Sequence, residues 1–130
     1  FPLVPVMGDG SYRLQPVQVE AVAQSFVQAL NRTDCHGETY HCCGPTALTY
    51  NRLLDEIGFA LGRKAPVRKI HQPLSLMKPL VSLLQGLPAF PITRDQLTML
   101  LEENVCSGTR WQEEFSLRLS DFSTGIRTYL

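Results

Sequence analysis

Charge is scarce in this chain. Asp, Glu, Lys and Arg make up 18% of its 130 residues, and twelve Lys and Arg balance twelve Asp and Glu. A formal net charge of zero offers no broad basic field to a nucleic-acid backbone, so no nucleic-acid partner is expected. Disorder is excluded as well, because it needs low apolar content and a large net charge, whereas hydrophobic residues here reach 44%. Long apolar runs are missing. Leu74–Leu87 is the longest apolar-rich stretch, shorter than the roughly 20 residues of a bilayer span and interrupted by Lys78 and Gln85. Several catalytic signatures are absent: no P-loop, no G-x-S-x-G, no H-E-x-x-H. Tyr12, Tyr40 and Tyr50 are followed four residues later by Pro16, Gly44 and Leu54 rather than by lysine. What remains is an apolar chain with a lean charged surface, part of which is expected to be covered.

Cysteine is sparse too, at positions 35, 42, 43 and 106. Adjacent Cys42 and Cys43 make a poor disulfide pair, and no secreted disulfide framework is recognisable, so reduced thiols in the cytoplasm are expected. Cys35, His36, His41, Cys42 and Cys43 cluster in sequence, and thiolate with imidazole is zinc chemistry. Neighbouring residues on a strand point to opposite faces, however, and the expected reading is a structural cluster with no metal. Gly8-Asp9-Gly10-Ser11-Tyr12-Arg13 begins like a dinucleotide fingerprint and fails at Arg13, where the third glycine belongs. A turn is expected there instead.

Periodicity predicts the elements. Phe1–Met7 reads as an extended opening segment. From Val19 the period becomes helical, with Val22, Phe26, Ala29 and Leu30 on one face. Thr39–Cys43 is a strand candidate closed by Gly44-Pro45. Thr49 caps a helix that carries Leu53, Leu54, Ile57, Ala60 and Leu61 and stops at Gly62. Pro66–Ile70 is a second strand candidate, flanked by a basic cluster at Arg63, Lys64, Arg68 and Lys69. The next helix starts at Pro73 and bears Leu74, Met77, Leu80, Val81 and Leu84, with Pro79 expected to kink or split it. Leu76 and Leu83 make it apolar nearly all round, so it needs cover on more than one side. Leu87–Ile92 reads as a rigid connector, Thr93 with Gln96 as a capping box, and Asp121–Leu130 as a last helix. The expectation is one helix-rich α+β domain over residues 1–130, with two or three short strands, too few for a sheet of ordinary size.

Four stretches carry a resemblance. Gly8-Asp9-Gly10 with Arg13 to Ala23, Tyr40-His41-Cys42-Cys43-Gly44-Pro45 with Leu48-Thr49-Tyr50, Pro91 to Leu97, and Gly125 to Leu130 follow one another in a familiar order. Together they resemble the C-terminal lobe of extended and atypical short-chain dehydrogenase/reductases. The subgroup most similar is the NAD(P)-binding epimerase/dehydratase-like proteins related to the nucleotide-binding accessory subunit of respiratory complex I. The resemblance implies a substrate-recognition lobe, not catalytic by itself, with residues 1–18 as the crossover from an N-terminal Rossmann domain. That absent domain would carry NAD(P) and be the lobe's partner, and the whole protein would be an oxidoreductase or epimerase acting on a small-molecule substrate. It further implies Arg13 as a contact for substrate phosphate, which suits a bidentate guanidinium, and Gln15 as a second substrate contact. No catalytic, cofactor or metal residue is expected in the chain. Two departures stand out: Ala21 where the family often has a helix-capping aspartate, and Gln18 where it often has histidine. The alternative expectation is an interaction module that docks Leu74–Leu87 on a partner protein, a second copy or a membrane surface.

Overall fold

The computed structural model describes residues 3–84, 86 and 93–130. Among them it has six α-helices and four short strands in two small sheets, a helix-rich α+β architecture. In chain order these are β1 (Val4–Met7), β2 (Arg13–Leu14), α1 (Val19–Leu30), β3 (Leu48–Thr49), α2 (Tyr50–Ala60), β4 (Lys69–Gln72), α3 (Leu74–Leu84), α4 (Arg94–Leu101), α5 (Thr109–Glu114) and α6 (Phe122–Gly125). A 3₁₀ turn, Ile126–Thr128, follows. β1 pairs with β4, and β2 with β3. No helix among the described residues is long and apolar enough to cross a membrane. The predicted connector Leu87–Ile92 lies outside the described residues.

The chain divides into two compact units. The first comprises Phe1–Leu14 and Thr49–Glu103, the second Gln15–Leu48 and Asn104–Leu130.

In the first unit, β1 and β4 run parallel in the register Val4–Lys69 to Met7–Gln72. Backbone bonds from Val4 N–H to Arg68 O (2.9 Å) and from Gly8 N–H to Gln72 O (2.8 Å) extend the ladder at its two ends. β4 begins three residues later than the predicted Pro66–Ile70. Pro66 has no N–H to offer a ladder, and Val67 N–H is taken by Asp55 Oδ1 at 2.9 Å. Asp55 also holds Lys69 Nζ at 2.5 Å, so one carboxylate on α2 fixes where the strand can start. Thr49 caps α2 as expected, its Oγ1 accepting from Arg52 N–H. The helix ends before Gly62, whose φ of +83° suits a residue without Cβ. α3 runs through Pro79, so the proline does not split the helix. Its buried residues Met77 and Val81 pack with Leu97 of α4, backed by Met7, Leu74 and Leu101. Its other side leaves Leu76, Leu80 and Leu83 exposed, as an all-round apolar helix with one covered side must. Both halves of the Thr93–Gln96 capping box are present at the start of α4.

The second unit is built around Trp111 on α5 and Phe115 at its C-cap, which share a cluster with Ala21 and Cys35. Val17, Val22, Ala29, Tyr40, Leu117 and Leu119 close around it. The Tyr40 and Phe115 rings meet edge to face at 5.1 Å. α5 had no counterpart in the predicted elements. The predicted strand Thr39–Cys43 is absent: the segment forms no ladder and is held instead by side chains of its own unit. The predicted terminal helix is shorter, one turn of α followed by the 3₁₀ turn.

The buried side of α1 also differs from expectation. Ala21 and Ser25 are buried, with Val22 and Ala29 packed beside them, while Phe26 and Leu30 are 69% and 83% exposed. The helix has two apolar stripes, and only small residues let its backbone approach the Trp111 indole, so the small-residue stripe turns inward.

Candidate functional site

The turn between β1 and β2 is the most elaborately held piece of the first unit. Gly8 and Gly10 have φ of +67° and +68°, a region that favours glycine. Ser11 donates to Asp9 Oδ1 twice, from N–H at 2.9 Å and from Oγ at 2.7 Å. These two bonds, with a smaller contribution from the nearby His71, hold the Asp9 carboxyl below its usual range. Asn51, in the first turn of α2, donates from Nδ2 to Asp9 O at 2.7 Å. That bond orients the amide, so Asn51 Oδ1 accepts from His71 Nε2 at 3.1 Å and assigns the proton to that nitrogen. A Cβ on residue 10 would lie 2.5 Å from Asn51 Oδ1, so Gly10 is what lets the amide in. Gly8, Asp9, Asn51, His71, Pro73 and Leu74 line an open cleft.

Tyr12 and Arg13 continue from this turn. Tyr12 stacks on Tyr50 at 5.1 Å and is 6% exposed, its hydroxyl paired with no described residue. Burial, helped by Tyr50 and Asp9, pushes the phenol up to about 12. Arg13, on β2, is half exposed and gripped by Glu103: Nε to Oε1 at 2.8 Å and Nη2 to Oε2 at 2.7 Å. The pairing raises the guanidinium further and lowers the Glu103 carboxyl. Glu103 escaped notice in the sequence because it lies ninety residues from Arg13.

Gln15 falls in the second unit, so the two predicted substrate contacts do not share a unit. Its amide is used at each end, Nε2 donating to Gly44 O at 2.6 Å and Oε1 accepting from Cys106 N–H at 2.9 Å. It therefore ties the two segments that the Cys43–Cys106 disulfide also joins, with Cα atoms 6.1 Å apart. The expectation of reduced thiols is corrected here. Residues 63 apart in sequence gave no spacing signal, but the fold brings them within bridging distance. Cys35 is a free buried thiol, and Cys42 a free exposed one whose pKa burial raises. Among the described residues no three His, Cys, Asp or Glu side chains converge where a metal ion would sit. Gln18, flagged only as a departure, accepts from Ser120 N–H at 3.1 Å and anchors the segment before α6. The basic cluster is thinned by Lys69's bond to Asp55; Arg63, Lys64 and Arg68 line a shallow surface depression.

The chain is similar in fold to a functionally unknown conserved protein from Silicibacter pomeroyi. The match covers 98% of this chain with a TM-score of 0.68, at 15% sequence identity. This chain spans 41% of that protein's length. At this identity the likeness speaks for the fold. No family model matches the chain, and no curated protein does.

Proposed function

We propose that the chain is a substrate-recognition lobe of an NAD(P)-dependent short-chain dehydrogenase/reductase-like protein of the epimerase/dehydratase type, with Arg13 as the contact for an anionic substrate group. The observation that carries this reading is the Arg13 fork. Its Nε and Nη2 hold two carboxylate oxygens side by side at 2.8 and 2.7 Å. A phosphate presents the same pair of oxygens to the same pair of donors. Glu103 thus stands where a phosphoryl group would sit, and an ion pair exposed to water exchanges partners at little cost. Gln15 serves in this reading as a positioning residue, since its amide is committed to Gly44 and Cys106. The reading draws further support from the four motif stretches and from a fold shared with part of a longer chain. Any dinucleotide would be held by a partner Rossmann domain, and the chemistry performed there.

Titration of the chain with ADP as a diphosphate probe, followed by the Arg13 Nε resonance, tests the assignment. Arg13→Ala is expected to weaken binding by about tenfold or more, as for loss of a charge-assisted pair, and Glu103→Gln to tighten it by removing the competitor. Binding unchanged in Arg13→Ala overturns it.

A second reading, an interaction module, rests on the exposed Leu76, Leu80 and Leu83 along α3. Lys78 is the only basic residue of that helix, which favours a protein partner over an anionic membrane. Pelleting of the chain with vesicles of anionic phospholipid would reverse that preference.

A further inference from the structure

α1 carries apolar residues on two neighbouring sides. One side, through Ala21, Val22, Ser25 and Ala29, packs on Trp111 and Phe115 of its own unit. The other is a continuous stripe of Val19, Ala23, Phe26 and Leu30, all exposed, flanked by exposed Val27. The spacing along the stripe is four, three and four residues, the alternation that keeps side chains along one seam between two paired helices. From its structure we infer that this stripe is a self-association surface, on which α1 of a second copy docks antiparallel about a two-fold axis.

The order of residue sizes carries the argument. A two-fold axis midway between Gln24 and Ser25 sets Val19 against Leu30 of the other copy, and Ala23 against its Phe26. Each large side chain then meets a smaller one, twice over, so the seam interdigitates. A parallel pairing sets Phe26 against Phe26 and Ala23 against Ala23, one level overfilled and the next hollow. Charge points the same way. Glu20 is the sole charged residue of α1. Antiparallel packing separates the two Glu20 residues by about 13 Å of helix axis, at roughly 1.5 Å per residue, whereas parallel packing sets them level. Helix dipoles also oppose rather than align. An anionic membrane is a poor occupant, because the stripe has no flanking Lys or Arg on the helix. The patch does not stop at α1. The Tyr129 hydroxyl donates to Glu20, which sets exposed Tyr129 beside the first helical turn. Even so enlarged, the seam is shorter than an obligate interface requires, so the dimer is reversible.

The surface is separate from the Arg13 reading and stands or falls on its own. Sedimentation equilibrium of the chain over a wide concentration range should give a monomer–dimer equilibrium. Phe26→Ala should weaken it about tenfold, the effect of removing a central aromatic anchor, and Leu30→Ala less. Ala23→Phe alone should also weaken it, because two rings then collide across the seam. The double variant Ala23→Phe with Phe26→Ala should restore association, since each new Phe again faces an alanine. These side chains lie outside the buried cluster, and far-ultraviolet circular dichroism verifies that each variant folds. A chain that stays monomeric, a dimer indifferent to Phe26→Ala, or a double variant no better than the single ones overturns the inference. So does a monomer that co-sediments with anionic phospholipid vesicles.

Discussion

Gly44 has no room for a side chain. A Cβ there would sit 1.7 Å from the Pro16 carbonyl oxygen and 2.7 Å from its carbon, both backbone atoms with nowhere to move. Gly44→Ala is therefore expected to destabilise the protein by at least about 3 kcal/mol, read as a fall in urea midpoint. Several side chains of the same unit are tuned by their neighbours. The Tyr40 hydroxyl, then Arg110, hold the Glu114 carboxyl below its usual range, and Arg32 does the same for Asp34. Glu103 is lowered by Arg13. Groups whose carboxyls are easier to ionise in the folded state stabilise it above the ordinary carboxylate range near pH 4. That contribution is lost as the pH falls through the lowered folded values. Tyr12 and Tyr40, the latter raised chiefly by its bond to Glu114, are both pushed up to about 12, so their contribution is full below pH 10 and lost as pH rises towards 12. Calorimetry should show a melting temperature nearly flat between these limits and falling at each end; a protein still at full stability at pH 3 would contradict the acid limb.

At the scale of elements, the sequence was legible wherever a local chemical signal sets a boundary. Thr49, Gly62 and the Thr93–Gln96 pair mark helix ends through caps that involve only residues a few positions apart. The Thr93→Ala variant should lose about 1 kcal/mol, as N-cap removal does elsewhere, with faster amide exchange confined to α4. Signals failed where a distant group decides. β4 starts at Lys69 because Asp55 on α2 claims Val67 N–H, and no window around Pro66 reveals that. α5 was missed because six residues, Thr109–Glu114, show too little periodicity; its existence depends on burying Trp111. The inward side of α1 was half misread because two apolar stripes compete on one helix, and the tertiary environment selects the smaller side chains. The resemblance singled out Arg13 and Gln15, but the Arg13–Glu103 pair and the structural use of Gln15 are products of the fold.

For the molecule as a whole, the disulfide is the largest single constraint that spacing did not foretell. Closing a loop of 63 residues removes unfolded-state entropy worth about 4 kcal/mol in the chain-entropy account. Reduction should consequently loosen the second unit. Hydrogen exchange followed with and without dithiothreitol is expected to show faster exchange around Trp111 and Phe115, and little change in the β1–β4 ladder, which contains no cysteine. Equal acceleration in the two regions would mean that the units share their stability.

The division of the chain has a further effect on how the protein comes into being. Each unit is assembled from two separate stretches, and the sequence alternates between them three times. As the polypeptide leaves the ribosome, everything up to Glu103 suffices to complete the first unit. The second must wait, with Cys43 unbridged and half its cluster missing, until Cys106 and Trp111 have emerged. A nascent chain stalled after Glu103 would thus hold one finished unit and one open one, with a hydrophobic helix in need of a chaperone.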